Sequence, residues 1–228
     1  MAIPMPGIKI KSPTQNPIID SDESYYELPF FKNEDYFFNL ENEVAFLKGT
    51  ENIIRKSKYY SRYIAHLKND FGLCFCQVKG NIVEEEGEEQ KGLIEMHHGP
   101  LFTLFDVCSI ILNDMLINNK KITSFSLAEK VIQEHFDHKV QTVMLSETMH
   151  QMVHDGKIFL NLKMGFGDIY GFLDKYMGAL DRSHIVIIND YIERSKKYDS
   201  NDFGNLEIVI TEWSKFNPQF VLDKDDNM

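Results

Sequence analysis

Ile94-Glu-Met-His97-His98-Gly-Pro100, read with Ser146-Glu-Thr-Met-His150-Gln-Met-Val-His154-Asp-Gly-Lys157, decides how this chain is read. Residues 93–97 read as a strand, stopped by Gly99-Pro100, a pair that ends strands. In the second, Ser146 is a favoured helix N-cap and Gly156 a favoured residue just past a C-terminus, so the spacing predicts a helix over 147–155. Residues four apart share one helix face. His150 and His154 can therefore offer two ring nitrogens to one ion, and His97 can add a third from the strand. Three protein ligands leave positions open, as in a catalytic metal site. The expected cofactor is one divalent ion, with Mg, Mn, Zn and Ni as candidates and imidazole less typical for Mg. His98 is then the spare imidazole, with an ordinary pKa close enough to neutrality to act as a general base. Alternation along a strand sends neighbouring side chains to opposite faces. Both histidines reach one site only if the strand bends at Gly99-Pro100.

Outward from this pair, the apolar spacing predicts helix over 39–70, a strand at 73–76, an acidic turn at 84–90, helices at 101–117 and 126–136, and a strand at 140–145. Residues 157–162 read as a strand or extended segment, 168–177 and 184–198 as helices, and 205–222 as mixed. Residues 1–38 are an arm with Pro4, Pro6, Pro13, Pro17 and Pro29, followed by Tyr25, Tyr26, Phe30, Phe31, Tyr36, Phe37 and Phe38. So many aromatics imply that the arm docks, on its own body or on a protein partner. Next come a helical, basic-aromatic region at 39–83, the strand-and-helix unit at 84–178 with a helical insertion at 101–139, and a C-terminal region at 179–228 with an acidic tail.

The chain has 228 residues and a net charge of −11, which opposes a simple nucleic-acid binder, since phosphate affinity comes mainly from Lys and Arg. The charge is uneven. Residues 53–79 hold six bases against the single acid Asp70. Within them Arg55, Lys56, Lys58, Arg62 and Lys68 interleave with tyrosines, a pattern that either tracks a DNA backbone or forms an amphipathic helix with its tyrosines inward. Three cysteines, Cys74, Cys76 and Cys108, point to a reducing cytosol rather than a disulfide framework. The most apolar run, 101–116, is too short and polar to span a bilayer, so no membrane is expected. No leader pattern opens the chain.

The two quoted segments, extended back to Gln141, resemble the HNH nucleases, a family that folds as two strands and a helix around one metal (ββα-metal). The resemblance covers roughly residues 93–163 without the insertion. It implies an α+β fold with a ββα-metal core wrapped by helices. His97, His150 and His154 match the metal ligands and His98 the general base. Glu95 matches an acidic position of some members, and Gln141 the supporting residue beside the base, with His138 as a nearby substitute. The activity implied is hydrolysis of DNA phosphodiester bonds in a host cytoplasm, the phage-encoded members setting the context. A non-catalytic metal- or DNA-binding subunit of a larger, possibly phage, assembly is the alternative. A small-molecule metallohydrolase is a third reading with less in its favour.

Overall fold

The computed structural model describes residues 32–83, 90–118, 120, 122–198 and 203–218. Most of the proline-rich arm, the acidic run at 84–89 and the acidic tail lie outside them.

Asn33 caps a first short helix, α1 (Glu34–Phe37), and Asn39 caps α2 (Leu40–Lys56) by accepting from the amides of Glu41 and Asn42. The helix expected over 39–70 is broken at Ser57. That residue is extended, ends α2, and caps α3 (Lys58–Asn69) by accepting from the Tyr60 amide at 3.0 Å. Beyond Asp70, residues 73–76 form no strand; Phe75 makes only an isolated bridge to Val83. The two-residue strands β1 (Ile82–Val83) and β2 (Gln90–Lys91) pair in parallel.

Strand β3 (Ile94–His98) pairs antiparallel with β4 (Thr142–Ser146), with Ile94 opposite Ser146, His97 opposite Val143 and His98 opposite Thr142. Between them run α4 (Leu104–Ile117) and α5 (Ser124–Phe136), each opened by a capping box, Thr103 with Asp106 and Thr123 with Ser126. Reciprocal side-chain and backbone bonds satisfy amides that a helix start leaves open. α4 buries eight of its residues, and α2 packs on both α4 and α5. The remaining elements are α6 (Glu147–His154), α7 (Ile169–Tyr176), α8 (Arg182–Lys197) and α9 (Gly204–Phe216), with 3-10 turns at Leu162–Met164 and Met177–Ala179. The mixed region expected at 205–222 is thus helical over most of its length. Residues 157–162, expected as extended or strand, join no sheet.

The result is an α+β molecule in which helices dominate and a small sheet carries the histidines. β4 is buried at all five positions. Its ladder continues beyond β3 through a side chain. Gln77 takes the Met144 carbonyl with its amide N–H at 2.9 Å, accepts the Met144 N–H on Oε1 at 2.6 Å, and donates from Nε2 to the Met164 carbonyl at 2.8 Å. Phe166 pairs with Thr142 through two backbone bonds. An unpaired edge is a liability that proteins cover; here one glutamine and one bridge cover it.

On its inner side β3 delivers a histidine into the core. His98 is 5% exposed, its Nε2 lies 2.9 Å from Nε2 of His135, and its ring stacks on Tyr60 at 6.0 Å. His135 in turn uses Nδ1 on the Val131 carbonyl at 2.7 Å. A carbonyl only accepts, so His135 carries its proton on Nδ1 and accepts from the His98 N–H at Nε2. Both rings are neutral in this chain of bonds. Burial pushes His135 down to about 4, and burial followed by His135 itself holds His98 well below the usual histidine range.

An acid-sensitive stability follows. Unfolded, His135 binds a proton near pH 6.5; folded, it stays neutral down to about 4. The unfolded state therefore binds more protons as pH falls through that window, and stability is lost from about 6.5 downward. Urea unfolding should show a loss on the order of 2–3 kcal/mol between pH 7 and pH 4.5 from this residue. A flat profile across that range would contradict the neutral buried pair.

Candidate functional site

The exposure of β3 alternates without a break: Ile94, Met96 and His98 are buried, while Glu95 and His97 are half-buried on the opposite face. That outer face is where α6 lies. α6 follows β4 without a loop and stops cleanly. The Gly156 amide donates to the Val153 carbonyl at 3.0 Å and the Lys157 amide to that of Met152 at 2.9 Å, with Gly156 at φ 68°. This is the left-handed helix stop that glycine makes easily. Ser146 holds the N-cap position as the sequence predicts, but its hydroxyl makes no capping bond.

α6 turns His150 and His154 toward His97. The ring centroids stand 5.1 Å from His97 to each of the other two, and 4.7 Å between His150 and His154. One nitrogen from each ring lies within 4.8 Å of the other two. The Nε2 atoms of His150 and His154 are 3.1 Å apart. Glu95 reaches the same group from β3, its Oε2 2.6 Å from Nδ1 of His150. Gly99 makes room, since a Cβ at its φ of 142° would press on the His97 ring at 3.2 Å. Burial, and then His150 and His154, push His97 down to about 4. Its ring is therefore unprotonated at neutral pH, the form that can donate a lone pair to a cation. The group can chemically accept one metal ion through three nitrogens.

The other expected residues lie elsewhere. His98 does not join His97; the bend expected at Gly99-Pro100 does not bring it round, and it sits in the core against His135 and Tyr60. A general base must reach solvent water or substrate, and His98 has no such access. Gln141 is buried and donates from Nε2 to the Leu162 carbonyl at 2.8 Å, so it ties down the 162–165 turn instead of steadying His98. The substitute His138 adopts a left-handed φ of 53° and stacks on His66 at 5.6 Å, away from the triad.

Three of the basic residues have partners within the fold. Arg55 pairs with Glu51 at 3.6 Å, Arg62 lies over the Tyr59 ring, and Lys68 donates to the Ile94 carbonyl at 3.0 Å. Lys56 and Lys58 are exposed at the α2–α3 junction, whereas Tyr60 and Tyr63 are buried. The interleaved pattern is mostly that of an amphipathic helix. Cys74, Cys76 and Cys108 are free thiols. The partner of His98, His135, has no spacing in the sequence that marks it. A carboxylate was also missed: Glu134 is 1% exposed and accepts from Lys175 at 2.5 Å and Tyr176 at 2.8 Å. These partners are some forty residues away, which periodicity does not reveal.

Compared with known proteins, the chain matches the sequence model of one family, described as Bacteriophage G278-like virion protein, over residues 9–217. Searches of curated proteins and of solved structures found no match. The family match overturns the resemblance to HNH nucleases: it spans nearly the whole chain, where the resemblance rested on residues 93–163, and it describes a virion protein. The endonuclease activity expected from that resemblance falls with it. The α+β class and the phage association stand; a ββα-metal nuclease core, DNA binding and residence in the host cytoplasm do not follow from the match. Among the described residues no helix is long and apolar enough to cross a membrane.

The two adjacent histidines should respond differently to truncation. His98→Ala leaves a cavity and an unpaired His135 nitrogen, and should cost about 2–4 kcal/mol in urea unfolding. His97→Ala, in metal-free buffer, should cost less than about 1 kcal/mol. Equal losses would contradict the division between faces.

Proposed function

Because the chain belongs to the Bacteriophage G278-like virion protein family, we propose that it is a non-catalytic structural subunit of a phage particle that works through contacts with other proteins. The family match over residues 9–217 carries this reading. Three features support it. His98, the imidazole next to His97, is sealed in the core against His135 and Tyr60 and does not face the triad. The net charge of −11 disfavours a phosphate backbone as partner. Large apolar side chains stand in water at both ends of the described chain: Phe38 and Leu40 beside α1, and Ile208 and Phe216 on α9. Exposed apolar groups of this size suit burial against another protein surface.

Purified particles of a phage encoding this chain should contain it in a fixed ratio to the other virion proteins, measured by quantitative mass spectrometry. Presence in the lysate alone, with none in the particles, would refute the proposal. The purified protein should leave supercoiled plasmid intact with Mg, Mn, Ni or Zn. Cleavage that His97→Ala abolishes would overturn the non-catalytic reading.

A further inference from the structure

The geometry points to a metal site: His97, His150 and His154 together hold one divalent transition ion that staples α6 to β3. The site concerns the chain by itself and does not depend on the particle assignment.

The donor set comes first. Three imidazoles from two elements converge, with one nitrogen of each inside a 4.8 Å span. Around a tetrahedral ion with metal–nitrogen bonds of about 2.0–2.1 Å, neighbouring nitrogens stand about 3.3 Å apart. The Nε2 atoms of His150 and His154 are already at 3.1 Å. Binding brings the His97 nitrogen, which lies within 4.8 Å of the other two, to about 3.3 Å from them. All three donors are nitrogen, which selects Zn, Co, Ni or Cu over the oxygen-seeking Mg and Ca.

The outer shell comes second. Glu95 lies 2.6 Å from Nδ1 of His150. A carboxylate accepts, so Nδ1 carries the proton and Nε2 keeps its lone pair on the side of the triad. A carboxylate behind a ligating imidazole fixes its tautomer and strengthens it as a ligand. Glu95 is placed for this by strand alternation, two residues before His97 on the same face.

The need for a staple comes third. α6 is eight residues long, has no buried residue, and lacks a side-chain cap bond at its start. A two-turn helix is not stable by itself. Met149 and Val153 give it only a partly buried apolar edge on the core. An ion shared by His97, His150 and His154 joins segments about fifty residues apart and closes that loop in the folded state. Its first consequence is an ordered α6; the remaining coordination is left to solvent.

The full chain, stripped with chelator and titrated with Zn by calorimetry, should bind one ion. Binding should raise its melting temperature and slow amide hydrogen exchange over residues 147–154 more than elsewhere. His154→Ala, at an exposed position that the fold tolerates, should lose the ion while keeping the metal-free melting temperature. Glu95→Gln should bind about 10–100-fold more weakly. Co titration should give nitrogen-ligand bands without thiolate charge transfer. Three results would overturn the site: no binding of Zn, Co or Ni by the folded chain; unchanged stoichiometry in the His150→Ala, His154→Ala double variant; or a thiolate band, which would assign the ion to Cys74 or Cys76.

Discussion

The period-two alternation of β3, held in register by β4, is the constraint on which the rest depends. Five backbone pairings fix which way each side chain of residues 94–98 faces. A one-residue slip would turn Ile94, Met96 and His98 to the surface and bury Glu95 and His97, so the register is set by what the core accepts. Because β4 is buried throughout, and Gln77 and Phe166 complete its far edge, the pair cannot shift without breaking those bonds as well. Two chemically identical residues side by side consequently have unrelated environments. His98 is a neutral core residue bonded to His135, and His97 is a half-buried ring facing two histidines of α6.

That separation also explains how much was legible in the sequence. A strand over 93–97, a second over 140–145, the two-turn helix after Ser146 and its stop at Gly156 are legible locally to within a residue or two, because each depends on short-range spacing or on turn chemistry. The convergence of His97, His150 and His154 was legible for the same reason: a strand end, a strand and an i, i+4 pair leave few arrangements. The role of His98 was not. Alternation argues against its sharing a site with His97, a shared site needs a bend at Gly99-Pro100, and the backbone keeps the alternation instead. Gln141 and Glu134 were misread or missed because their partners, the Leu162 carbonyl and the pair Lys175 and Tyr176, are fixed by tertiary packing. The helices within 101–139 are legible from apolar spacing, but their packing against α2 is not, since nothing local marks it.

The functional correction has the same physical root. A histidine pair followed by a spaced histidine pair resembles a nuclease motif, yet hydrolysis needs a base with access to water. Burial removes that access from His98. What remains is a cluster suited to holding an ion and a molecule whose family is that of a virion protein. The proposed ion would fix a two-turn helix to a buried sheet where apolar burial is thin, a gain in rigidity rather than in turnover.

The central claim is the division of labour between His97 and His98, and long-range nitrogen–proton NMR of the imidazoles reads it directly. On adding one equivalent of Zn, the ring nitrogens of His97, His150 and His154 should shift together to metal-bound values, while those of His98 and His135 keep their neutral tautomers unchanged. A metal-induced shift at His98, with His97 unmoved, would contradict the account.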